Sequence, residues 1–490
     1  MGEIYMNASR VVIWLGDAGE DSHLVFQHLA RFRQHQDDVR SGRSKPTDAF
    51  GESHLNPPSY EEATSVALER LFQRPWFFRT WVIQENALSK EALICCGSES
   101  ASWEELFRPM GSNSGLSDRP IHGIDYGDRA HQIDVLSPSN RSDACRAVLK
   151  YSRDCQVTDP KDRVYAILGL LKPGLVKVEY ESSVQDIYRS FAQAIIEDSG
   201  SIQLLNLCGP KRALPGLPSW VPDFNARRSS CHLPDLNERS VGIHMHWFDT
   251  YLTRALPGLR FNNNGKELVV KGKAIDTVRA VGDEMPVSKE YARGTEGFSR
   301  ILSGWENLAV DNLPTQSSST GSTSADPRVT ISHAFLATLV ALNTYCGDEN
   351  SNPYMPFGGV LWYKQHGTGE LMMREPQYFE DIEYCTMLSL GDMDDAWWYD
   401  SDYDWYVKEL EKAIYGRRLF VTEGGYLGLG EPLVQAGDEI GFLCGNVYPF
   451  AVRKSTRDTF TLLGDCCIYK LDVLKLFEDH KKPVVEFNIE

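Results

Sequence analysis

The sequence has no run approaching the ~18–20 uninterrupted apolar residues of a membrane-spanning helix, so no membrane span is expected. It has no Lys/Arg-rich block either. Fifty basic against 68 acidic side chains leave a net charge of −18, which repels phosphate backbones and argues against nucleic acid as a partner. The opening "MGEIYMNASRVVIWLGD" carries no basic stretch ahead of an apolar core, so no secretory leader is expected. Met6 stands where N-myristoylation needs Ser or Thr. No CxxC occurs among the eleven cysteines, an odd and scattered set. With Cys95–Cys96 and Cys466–Cys467 in strand-like runs, they read as reduced, buried thiols of a cytoplasmic protein rather than a disulfide framework or zinc site. The familiar phosphate, zinc-protease and nucleophile-elbow motifs are missing too. "GLGEPL" (428–433) lacks the third glycine of a dinucleotide loop.

What remains is an ordinary globular composition over 490 residues, enough for several domains. "RVVIWLG" (10–16) reads as a short buried strand, and "DAGEDSHLVFQHLARFRQHQ" as a loop and a Ser22-capped helix. A polar loop over 38–58 precedes "SYEEATSVALERLFQ", a helix with Ser59 and Glu62 spaced as a capping box. "EALICCG" is a second buried strand, and "SWEELF" (102–107) starts another helix. Strand–helix–helix–strand–helix is an α/β pattern with parallel pairing. Residues 1–110 form this first domain, and 111–142 read as a loop.

A helical middle region covers 143–240: a compact helix over 159–174, an amphipathic one over 182–200 with Val184, Ile187, Phe191 and Ile195 on its face, and an aromatic-proline loop "LPSWVPDFNA" (217–226). Past residue 240 the period changes. "LRFNNNGKELVVKGKAIDTV" predicts a hairpin turning at Asn264-Gly265 within a 241–312 β-hairpin region. The Ser/Thr-rich stretch 313–327 reads as a flexible surface insertion. The remainder, 328–490, holds an Asp- and Trp/Tyr-rich run (391–406) and a helix. It closes with a small antiparallel β module over 417–470, a curled sheet or barrel. The class is therefore α/β plus α+β.

Two features suggest chemistry. "HMHW" (244–247) places His244 and His246 on one strand face, but no third ligand follows, so no metal site is assigned. In "RPWFFRTWVIQENALSKEALICCG" (74–97), Glu85 ends a strongly apolar run. It either pairs with Arg74 or Arg79 as a structural residue, or is held in a cleft. Ligands of open parallel sheets gather beyond the carboxyl ends of strands, and Gly16 and Asp17 lie at such an end. One carboxylate suits cleavage of a pyridinium N-glycosidic bond. Nicotinamide leaves as a neutral molecule, so an anion beside the oxocarbenium-like ribosyl transition state suffices without the second carboxylate of ordinary glycosidases.

Five stretches, "IYMNASRVVIWLGD", "RPWFFRTWVIQENALSKEALICCG", "DPKDRVYAILGLL", "LPSWVPDF" and "GRRLFVTEGGYLGLGEPLVQAGDEIGFLCGNVYPFAVRK", resemble the fungal heterokaryon incompatibility (HET) domain proteins in the family's order. The resemblance implies a TIR-like, flavodoxin-like parallel-sheet domain in a cytoplasmic protein of non-self recognition and cell death. It makes Glu85 the catalytic candidate, with Trp81 as its packing neighbour, and Gly16, Asp17 and Trp81 the nucleotide-binding candidates. NAD would then be a substrate, with no bound cofactor. The family pattern usually opens with "ALSYxWG"- and "WIDxxCINQ"-like strands, which do not precede "MGEIYMNAS". The expectation is an amino-terminally truncated, incomplete TIR-like sheet with a pocket short of one wall and uncovered strand edges, which invite protein partners or self-association. Three functions stand on this footing: protein contacts in incompatibility, NAD glycohydrolase activity through Glu85, and an accessory role in a fungal biosynthetic cluster.

Overall fold

The computed structural model describes residues 2–41, 62–107, 152–153, 155–209, 212–226, 258–312, 338–339, 410–446, 448–456, 458–469, 471, 476–477 and 482–490. The chain divides into two compact units, Met1–Phe191 with Phe224–Arg227, and Ala192–Asp223 with Arg228–Glu490. The expected features at 111–142, His244/His246, 313–327, 391–406 and Ser59 lie outside the described residues.

The first unit is built on a three-stranded mixed sheet in the order β1 (Val11–Trp14), β2 (Ala92–Cys96), β3 (Glu99–Ser102). β1 and β2 are parallel, Val11 opposite Ala92 and Trp14 opposite Cys95, as the strand–helix–strand pattern requires. β3 folds back antiparallel on β2, a hairpin that the pattern did not suggest. Around the sheet lie α1 (Gly2–Asn7), α2 (Ser22–Arg40), α3 (Glu62–Phe72), α4 (Val82–Ala87) and α5 (Trp103–Phe107). Ser102 and Glu105 cap α5 reciprocally: Glu105 N–H donates to Ser102 Oγ at 3.2 Å, and Ser102 N–H to Glu105 Oε2 at 2.9 Å.

One core forms where Val11, Ile13, Leu15, Ala92, Ile94 and Cys96 meet Phe26, Leu29, Leu68, Leu71, Trp76 and Phe77. The opposite face of β1 is open. Val12 is 60% and Trp14 54% exposed, so the strand expected to be buried throughout is buried on alternate residues only. On the same face of β2, Leu93 and Cys95 are half-buried.

Further on, the run expected to be helical over 159–174 is broken. α6 spans only Asp162–Tyr165, and a single 3-10 turn follows at Leu168–Leu170. Gly169 sits so close to Gln84 that a Cβ there would come within 2.8 Å of its Oε1, so the chain departs from the helix to make this approach. α7 (Val184–Ser199) is amphipathic as expected, but its buried face is Ile187, Tyr188, Phe191 and Ile196, and the expected Val184 and Ile195 are only half-buried.

The second unit holds an eight-stranded sheet: β4 (Arg260–Asn262), β5 (Glu267–Val281), β6 (Arg418–Thr422), β7 (Leu427–Gly430), β8 (Glu439–Leu443), β9 (Phe450–Lys454), β10 (Phe460–Ile468) and β11 (Val485–Ile489). The order β11-β10-β7-β6-β5-β8-β9, with β9 also paired to β10 and β11 to β5, curls the sheet closed on itself. β4 and β5, read from the sequence as a separate hairpin region, join the carboxyl-terminal strands in this sheet. Their turn uses three residues, with Asn263 and Asn264 left-handed at φ 51° and 54°, a conformation that Asn tolerates. Register shifts at Ala274/Asp276 and Val278/Ala280 bend the 15-residue β5 so that it serves β8 along one stretch and β6 along another.

Phe420, Ile440, Phe442, Leu463 and Cys466 fill one core of this unit. α8 (Glu296–Asn312) buries Phe298, Leu302 and Trp305 against Leu419 and Leu429 in another. Within the sheet lies a buried ion triad. Arg417 donates from Nη2 to Asp465 Oδ1 at 2.8 Å and stands 3.6 Å from Glu431 Oε1, with all three side chains at most 4% exposed. Burial alone would favour the neutral guanidinium, but Asp465 and Glu431 outweigh it and hold the arginine charged.

Candidate functional site

The segment around Glu85 takes its shape from Pro75, whose fixed φ starts a 3-10 turn over Pro75–Phe78. The turn buries Trp76 and Phe77, whose rings meet edge to face at 5.1 Å. Arg79 then takes an extended conformation, and the chain re-enters a helix at α4 with Trp81 as its amino-terminal cap. Glu85, half-buried, accepts from Trp76 Nε1 at 2.9 Å on Oε2 and from the Tyr5 hydroxyl at 3.4 Å on Oε1. Neither Arg74 nor Arg79 pairs with it. Burial pushes the Tyr5 phenol up, and the neighbouring Glu85 charge and hydrogen bond push it further.

Trp81 turns elsewhere. Its Nε1 donates to Asp162 Oδ2 at 3.2 Å, and Asp162 Oδ1 accepts from the Tyr180 hydroxyl at 2.7 Å. Burial first, and then Asp162, raise the Tyr180 phenol. Two carboxylates are thus each held by an indole N–H from one short segment, Glu85 by Trp76 and Asp162 by Trp81. Between Glu85 and Trp81 in sequence, Gln84 is buried and donates from Nε2 to Tyr165 O at 3.3 Å, tying α4 to α6.

Gly16 and Asp17 leave the carboxyl end of β1, Gly16 at φ 97°. Arg74 clamps this loop, donating from Nη1 to Leu15 O at 2.8 Å and Asp17 O at 2.7 Å, and from Nη2 to Ser22 Oγ at 3.2 Å. Ser22 begins α2 as expected, but its hydroxyl turns back to accept from Gly19 N–H at 2.9 Å. The loop edges a cleft of about 220 Å³ lined by Gly19, Glu20, Asp21, Ser22, Arg70, Leu71 and Arg74. Arg70 spans it to Asp21 at 2.6 Å. Gly16, Asp17, Trp81 and Glu85 do not line this cleft. The structure therefore brings Gly16 and Asp17 to Arg74, Trp81 to Asp162, and Glu85 to Trp76 and Tyr5.

Tyr5, Asp162 and Tyr180 carry no sequence signal for these contacts, since each partner lies many residues away. Trp76 was visible within the same apolar run as Glu85, and its spacing of nine residues gave no reason to prefer it over Trp81. Among the described residues no cluster of three or more His, Cys, Asp or Glu side chains could hold a metal ion, and no helix is long and apolar enough to cross a membrane.

The family model described as heterokaryon incompatibility protein (HET) matches residues 1–85, which end on Glu85. A second, the Het-6 beta-barrel domain, matches residues 394–472, which include the ion triad. The chain is 22% identical over 543 residues to heterokaryon incompatibility protein 6, OR allele, of Neurospora crassa, an alignment covering 95% of this chain and 76% of that relative. No solved structure matches.

Proposed function

The chain is a HET-domain protein, and on that premise we propose that it serves fungal non-self recognition in the cytoplasm through contacts that its amino-terminal module makes with other protein. The observation that carries this reading is the open face of β1, where Val12 and Trp14 are 60% and 54% exposed beside half-buried Leu93. Exposed apolar residues on a sheet edge are a surface that another chain covers. Glu85, by contrast, already accepts on both carboxylate oxygens. The net charge of −18 suits protein rather than nucleic acid as the partner.

A second reading keeps Glu85 as the catalytic carboxylate of an NAD glycohydrolase on a TIR-like fold. In its favour, Glu85 is only half-buried and its donors are neutral, so its charge is oriented and not cancelled by a cation. It would then stabilise the ribosyl oxocarbenium as nicotinamide departs. Nicotinamide release from NAD by the purified chain, beside Glu85→Gln, separates the two. The contact reading expects no turnover by either protein. Turnover that Glu85→Gln abolishes would overturn it.

A further inference from the structure

We propose that Asn264 is a site of spontaneous deamidation, a covalent change that the chain makes on itself at the β4–β5 turn. The inference concerns the second unit and is independent of the contact reading above. Asn264-Gly265 is the one Asn-Gly step in the sequence. It lies at an exposed tip where three asparagines follow one another, and the structure tells them apart. Asn262 ends β4, its backbone paired with Glu267, and Asn263 follows it. Asn263 donates its side-chain amide to Glu267 Oε1 at 3.4 Å and is followed by Asn264. Asn264 is exposed, and its carboxamide makes no hydrogen bond among the described residues. It alone precedes a glycine, whose nitrogen no side chain of its own residue shields.

The reaction needs solvent water and no enzyme. The Gly265 nitrogen attacks the side-chain carbonyl carbon of Asn264 and gives up its proton. The carboxamide nitrogen takes up that proton and leaves as ammonia, which closes a cyclic imide. Water then adds to one imide carbonyl and breaks its bond to nitrogen. Breaking the side-chain bond leaves aspartate. Breaking the main-chain bond leaves isoaspartate, whose backbone runs through the former side chain. Either product carries a new carboxylate, so the chain becomes one charge more negative than −18.

Asn263 and Asn264 are left-handed at φ 51° and 54°, and Gly265 follows at φ 76°. Gly265 is buried, so its nitrogen meets the carboxamide when the tip opens. Such an opening releases only β4, where Arg260, Phe261 and Asn262 pair with Val269, Leu268 and Glu267. Three pairs at a hairpin tip open at low cost while the long β5 stays in its sheet. Isoaspartate makes the opening permanent. One extra backbone carbon in so tight a turn breaks the register of all three pairs. It also draws Phe261 off Trp220, whose rings lie 5.1 Å apart.

The test is incubation of the full chain at neutral pH, folded and in urea, followed by peptide mass spectrometry that separates aspartate from isoaspartate. The expected result is conversion at Asn264 and at neither Asn262 nor Asn263. The folded chain should react within about tenfold of the unfolded rate, because the tip opens so readily. Amide exchange over 260–262 should be roughly tenfold or more faster in the isoaspartyl form, with β8 and β9 unchanged. Asn264→Gln, whose side chain is too long to close the same ring, should stay unmodified. Asn264→Asp should carry the added charge with β4 still paired. A folded chain that stays intact while the unfolded chain reacts would overturn the proposal. So would conversion at Asn262 or Asn263 ahead of Asn264, or unaltered exchange over 260–262 in the isoaspartyl form.

Discussion

Replacing Arg417 by Met should destabilise the barrel far more than a surface arginine would. The side chain is 1% exposed and stands 2.8 Å from Asp465 and 3.6 Å from Glu431. Methionine fills much of the same volume, so cavity formation contributes little. What is lost is the cation that faces two buried carboxylates. Breaking a buried pair by removing one partner costs about 3–5 kcal/mol, because the charge left behind stays desolvated. The three groups belong to different parts of the sheet: Arg417 precedes β6, Glu431 follows β7 and Asp465 lies in β10. The loss should therefore spread across those strands. Hydrogen exchange read by mass spectrometry on peptides from β6, β7 and β10 reports it strand by strand. Protection should fall by roughly a hundredfold to a few thousandfold, at about 1.4 kcal/mol per tenfold. Neutralising all three positions, as Arg417→Met/Glu431→Gln/Asp465→Asn, should recover most of that protection. A change below about tenfold in the single variant would refute the argument that Arg417 compensates both acids.

Burial holds the Cys467 thiol up at about 11 against an ordinary 9.0. The unfolded chain releases this proton near pH 9 and the folded chain keeps it, so the stability it contributes is complete below pH 9 and lost as pH rises towards about 11. Denaturation midpoints across that window should fall less steeply for Cys467→Ala, by about 2–3 kcal/mol at the upper end, and equal slopes would contradict the assignment. Arg74→Met should free the loop after β1. Amide exchange over 15–22 is expected to rise about tenfold or more, given hydrogen bonds from a charged donor to Leu15 O and Asp17 O, and unchanged exchange would mean that the loop holds itself.

Some of this was legible in the residues. β1 and β2 announced themselves as short apolar runs between turn residues, and their parallel pairing follows from the helices between them. The antiparallel module over 417–470 was readable from its alternation of apolar runs and turns. Composition misleads at Val12 and Trp14. A strand apolar at every position reads as buried on both faces, and only the tertiary packing shows which face lacks a cover. The 159–174 run has helical composition, but Gly169 must approach Gln84, a demand set by residues 85 positions away. Separations of 80 and 81 positions hide Tyr5 and Asp162 from any local reading of Glu85 and Trp81. What Glu85 touches is decided by α1 and the Pro75 turn rather than by its neighbours in the chain.

The central claim is that the amino-terminal module works by contact and not through the carboxylate of Glu85. The most direct measurement is an incompatibility assay in fused hyphae expressing the full chain, its Trp14→Lys form or its Glu85→Gln form at matched protein levels. The account predicts that Trp14→Lys loses the reaction and Glu85→Gln keeps it. Loss with Glu85→Gln and retention with Trp14→Lys would contradict it.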